Sequence, residues 1–155
     1  MKTTEIKAEN AVKAYESGTD KQKEFLKNLL GEDLFVKDIR DQIKTMDDVF
    51  RLNGTSLAEF TKKWEGFASH EIGHAIELLI VSAYNQGQLP DFSNSNQDKY
   101  YPRFLMDSGS RFAYSYFVNW HTTSLVGSRQ VFLSYDNMID AVEKFLPQYK
   151  QSRTT

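Results

Sequence analysis

The sequence predicts an α+β fold: N-terminal short helices and one long central helix, a three-stranded antiparallel meander, and a C-terminal helix. Three observations lead there. Apolar residues recur at helical spacing as far as Gln86, a period of two sets in from Tyr100, and helical spacing returns from Met138. Strands gathered together and kept apart from helices define this class, in contrast to an alternating α/β order. All 155 residues read as one domain, helical over 1–87, with the sheet and last helix over 98–150.

Each element has its own signals. Ala8, Ala11, Val12 and Tyr15 share a helical face until Gly18 stops the run. Asp20 is placed to cap a second helix bearing Phe25, Leu26, Leu29 and Leu30, closed by Gly31. Thr45 with Asp48 opens a short segment carrying Val49 and Phe50, which ends near Asn53-Gly54. Ser56 with Glu59 is a capping box. It begins the main helix, from about Leu57 to Gln86, with Gly66 as its point of interruption. Ile72, Ile76, Leu79, Ile80 and Ala83 form the expected buried face, and Gly87 and Pro90 end it.

Asp91 to Gln97 is polar and turn-rich. Tyr100 to Met106 reads as an edge strand, since Pro102 cannot donate to a ladder. Asp107-Ser108-Gly109-Ser110 is a turn. Arg111 to Trp120 alternates, placing Phe112, Tyr114, Tyr116, Val118 and Trp120 on one face and Phe117 on the other. Leu125 to Ser134 is the third expected strand. The last helix carries Met138, Ile139, Val142, Leu146 and Tyr149, bent or ended by Pro147.

Composition limits the chemistry. Nineteen basic against 21 acidic residues give no electrostatic basis for gripping a nucleic-acid backbone or an anionic membrane. The absence of cysteine removes disulfides, thiolate metal sites and a thiol nucleophile. The longest apolar stretch, Leu78 to Val81, is far too short to span a bilayer, and Met1 to Glu5 lack a signal peptide's apolar run. A cytoplasmic location is the expectation.

One motif carries a specific chemistry. His70-Glu71-Ile72-Gly73-His74 fits H-E-x-x-H within an expected helix. Residues four apart lie one above the other, so both imidazoles could reach one zinc ion. Glu71 would then take a proton from metal-bound water. The string resembles the active-site helix of zincin metallopeptidases. A third ligand is harder to find. Ile80 stands where metzincins place theirs, and no glutamate lies between Leu78 and Phe132 for a gluzincin arrangement. His121 is the candidate, with Asp91, Asp98 and Asp107 as carboxylate alternatives. The competing reading makes His70, His74 and Glu77 a polar stripe beside the buried face, with Glu71 a solvated or locally paired helix charge.

Four other stretches carry a likeness along the whole chain. They are Lys37-Asp38-Ile39 to Ile43-Lys44-Thr45, Ala83-Tyr84-Asn85-Gln86-Gly87, Lys99-Tyr100-Tyr101-Pro102-Arg103-Phe104 and Val126-Gly127-Ser128-Arg129. In these the chain resembles an uncharacterised family of small proteins encoded by gut Bacteroidetes and their phages and mobile elements. The resemblance implies a bacterial or phage protein, names no reaction, and does not include H-E-x-x-H among its recurring features.

The second half also holds 15 of the 21 aromatics. With Lys99, Arg103, Arg111 and Arg129 nearby, they could stack a sugar or base, although packing against helices accounts for most of them. Phe117, on the opposite face, is the aromatic left for a ligand. Gly127-Ser128-Arg129 suggests an anion site, since glycine permits close backbone approach and arginine pairs with oxyanions in a fork. The expectation is therefore a non-catalytic binding or interaction module without a cofactor. Its partner would be a protein or a small anionic or sugar ligand. The alternative is a zinc-dependent metallopeptidase or hydrolase using His70, Glu71 and His74 with His121.

Overall fold

The computed structural model describes residues 6–35, 38–106 and 112–154. They fall into two compact units, divided after Asp38. In the first unit α1 (Ala8–Ser17) and α2 (Asp20–Leu30) precede a 3-10 turn at Glu32–Phe35. Tyr15 stacks on Phe35 with ring centroids 4.5 Å apart. Thr19, one residue before the expected cap, sits at the start of α2, and its backbone N–H donates to Gln22 Oε1 at 2.8 Å. Gly31, at φ +88°, ends that helix in a conformation few other residues adopt.

The second unit contains α3 (Ile39–Gln42), α4 (Met46–Leu52), α5 (Leu57–Lys63), α6 (Ser69–Tyr84), β1 (Lys99–Met106), β2 (Phe112–Trp120) and α7 (Tyr135–Thr154). The fold is α+β, with helices and a separate antiparallel hairpin. The expected main helix is broken into α5 and α6, and Gly66 at φ +85° makes the break. No helix among the described residues is long and apolar enough to cross a membrane.

The three-stranded meander is corrected: among the described residues the sheet has two strands. The stretch expected as a third strand holds a 3-10 turn at Ser128–Gln130 and one bridge, Tyr100 to Phe132. The neighbouring groups that would extend this bridge bond locally: Gln130 N donates to Gly127 O in the turn, and Ser134 O accepts from Met138 N at the start of α7. At the end of α6, Asn85 Nδ2 donates to Val131 O at 2.8 Å, and its Oδ1 accepts from Leu133 N at 3.0 Å. One amide side chain thus satisfies the backbone groups on the side of this stretch that faces away from β1.

The expected alternation of β2 is corrected as well. Arg103 pairs with Tyr116 and Phe104 with Tyr114, so Ser115 is an extra residue. Paired residues share a face. Pro102 faces Phe117 and Phe104 faces Tyr114, which puts Phe117 on the side of Tyr114 and Phe112, away from Tyr116 and Val118.

The core lies between α6 and α7, joined by Ile43, Val49 and Phe132. These helices run antiparallel, since Gly73 meets Ser152 at one end and Tyr84 Oη donates to Asp140 at 2.6 Å towards the other. Pro147 bends α7 without ending it, and the non-helical residue is Phe145 (φ −120°, ψ 25°). Of the expected buried face of α6, Ile80 and Ala83 are buried, whereas Ile72, Ile76 and Leu79 are half-buried.

Two outcomes test this packing. A Cβ on Gly73 would lie 2.6 Å from Ser152 N and 2.8 Å from its Cα. Gly73→Ala should therefore lower stability by about 1–3 kcal/mol in urea titration, although alanine in an open helix would raise it by about 1 kcal/mol. Asp48 accepts backbone N–H bonds from Lys44 and Thr45 and a charged bond from Arg51. The Arg51 bond, chiefly, pulls its pKa from 3.8 down to about 2. A depressed folded-state pKa stabilises above the unfolded value and is lost as pH falls from 3.8 towards 2. Asp48→Asn should flatten the stability–pH curve across that window.

Candidate functional site

The structure accounts for every residue of the H-E-x-x-H string. His70 and His74 project from the first half of α6 and are exposed. Glu71 accepts from the backbone N–H of Ala68 at 2.9 Å, closing the N-terminus of the helix. Gly73 is a position where the α7 backbone, at Ser152, comes close to α6. Glu77, one turn beyond, is 2% exposed and belongs to the core, not to a polar stripe.

Glu77 anchors a buried ion pair. Its Oε1 and Oε2 accept from Arg153 Nη2 and Nη1 at 2.7 and 2.8 Å, and Ser152 Oγ donates to Oε2 at 3.0 Å. Arg153 Nη2 also donates to Tyr101 Oη at 3.0 Å, and the guanidinium lies over the Phe104 ring at 4.7 Å. The pair therefore ties α6, α7 and β1 together. Tyr149 is fully buried beside it, and burial first, then the Glu77 charge, pushes its hydroxyl well above the usual phenol range.

His121, the expected third ligand, sits just beyond β2 with Nε2 3.0 Å from Asp98 Oδ1. Asn119 and Tyr100 donate to the same carboxylate at 2.8 and 3.1 Å. Asn119 first, then His121, lowers the Asp98 pKa. This cluster closes the base of the hairpin. Asp91 is engaged by Ser93 through its N–H and hydroxyl, and Asp107 lies outside the described residues. Among the described residues no three His, Cys, Asp or Glu side chains gather in a group that could hold a metal ion.

The binding candidates separate. Lys99 is buried, its ammonium donating to Gln97 O at 2.7 Å and Asn94 O at 3.3 Å, so it braces the 91–97 loop. Arg103 lies over the Tyr116 ring at 5.3 Å. Phe117 is 38% exposed and packs against Tyr135 and Tyr100. Arg111 lies outside the described residues. Arg129 is exposed, and no ion pair or hydrogen bond engages its side chain among the described residues.

Arg129 and Ser128 line a cavity of about 500 Å3 with Asn53, Ser82, Asn85 and Gln88. Leu78, Leu79, Leu89 and Pro90 give it an apolar wall, and among the described residues Arg129 is its only charged lining residue. Sequence reasoning found Arg129 but missed the helix end facing it. The amide-rich run Asn85-Gln86-Gly87-Gln88 was the available signal. A second, apolar cavity of about 660 Å3 opens between α5 and α6, walled by Phe50, Phe60, Trp64, Ile72 and Ile76. No protein-family model, curated protein or solved structure matches this chain.

The Tyr149 hydroxyl has no hydrogen-bond partner among the described residues. Removing an unpaired buried hydroxyl costs nothing in lost bonds. Tyr149→Phe should leave the melting temperature unchanged or raise stability by about 1 kcal/mol.

Proposed function

We propose that the protein is a non-catalytic binding module that takes a small oxyanion-bearing ligand in the cavity beside Arg129. The observation that carries this reading is charge. Among the described residues, a guanidinium without a carboxylate partner lines a concave site whose other lining side chains are all neutral. Such a site favours an anion, because a guanidinium donates in a fork that fits carboxylate or phosphate. The leucine and proline wall suits the apolar part of the same molecule, and about 500 Å3 lies within the size range of small-molecule sites.

Two of the stretches that carry the sequence resemblance, Ala83 to Gly87 and Val126 to Arg129, both contribute to this cavity. On that kinship the protein would act as a bacterial or phage accessory factor. The ligand's oxyanion would lie against Arg129 and the Ser128 hydroxyl, with the Gln88 amide fixing its orientation.

Calorimetric titration with inorganic phosphate and with short-chain carboxylates tests this directly. Binding should weaken about 10- to 100-fold in Arg129→Ala, the loss expected of a charged hydrogen-bond pair. Arg129→Lys should retain part of it. Equal affinity in wild type and Arg129→Ala would overturn the assignment.

A further inference from the structure

We propose that the outer edge of β2 is an interaction surface whose partner is a second copy of this chain. The two hairpins would join edge to edge into a four-stranded antiparallel sheet. β1 is engaged on both sides, by β2 along its length and at Tyr100 by Phe132. β2 has a backbone partner on one side only among the described residues. Its nine residues, Phe112 to Trp120, contain neither a charge nor a proline. Edge strands ordinarily carry lysine, proline or inward charges that prevent pairing with other chains.

Self-association follows from the same sequence. The bulge at Ser115 leaves Tyr116 to Trp120 as the regular segment. Antiparallel pairing of this segment with its own copy about a two-fold axis centres on Val118. It sets Tyr116 against Trp120 and Phe117 against Asn119 of the second copy. No like charges meet, and aromatic and β-branched residues face one another, the pairs that stabilise sheets. Tyr116 at 51% and Phe117 at 38% exposure leave the segment open to such a contact.

Sedimentation across a concentration series reads the result. Wild type should show a discrete dimer. Val118→Lys and Val118→Glu should each weaken dimerisation at least about tenfold, because like charges would then lie directly opposite. Mixing the two variants should restore it. Hydrogen exchange of wild type gives a variant-free measure: amides within 116–120 should gain protection as concentration rises. A monomer at all concentrations, aggregation without a discrete dimer, or dimers indifferent to both charged variants would overturn the proposal. So would concentration-independent exchange across 116–120.

Discussion

The buried Glu77–Arg153 pair is the interaction on which the second unit's arrangement depends. A carboxylate withdrawn from water is costly unless its lone pairs are filled and a counter-charge lies close. Both oxygens of Glu77 are occupied, by two guanidinium nitrogens and a serine hydroxyl. Arg153 must therefore come from the last turns of α7 to the middle of α6, which sets the antiparallel overlap of the two helices. Gly73 allows the close approach that this requires. The same guanidinium reaches Tyr101 and Phe104, so the hairpin's position is tied to the helix pair.

This arrangement gives the H-E-x-x-H string a physical account in packing and capping. Its glycine is a contact point between helices, its glutamate closes a helix end, and its histidines face water. The side chain that His70 and His74 lack nearby is also explained, because His121 is held by Asp98 at the base of the hairpin. The surface features that remain uncommitted lie elsewhere, at the Arg129 cavity, the apolar groove and the outer edge of β2.

Much of the helical organisation was legible because its signals are local. Gly18, Gly31 and Gly87 follow helix ends, Gly66 separates α5 from α6, and Ser56-Glu59 and Thr45-Asp48 mark starts, all signals that act within a few residues. The third strand was misread because Gln130 and Ser134, on either side of the Phe132 bridge, bond locally in a turn and at a helix start, which no periodicity records. The bulge at Ser115 likewise reversed the side assigned to Phe117, since alternation assumes an unbroken ladder. At the site, Arg129 was visible as a residue type beside glycine and serine. The neutral wall opposite it comes from the α6 terminus and appears only when the chain folds back. Lys99 was counted as a surface cation, yet its neighbours in space turn it inward to carbonyls.

The claim that Glu77 and Arg153 hold the helices and hairpin together is tested most directly by a double-mutant cycle. Glu77→Gln, Arg153→Gln and the double variant would be unfolded in urea alongside wild type. A coupling energy of about 1–3 kcal/mol is expected for a desolvated, two-pronged pair, with the double variant far less damaged than the sum of the singles. Additive effects within about 0.5 kcal/mol would contradict it, because two groups that stabilise the fold through each other cannot be independent.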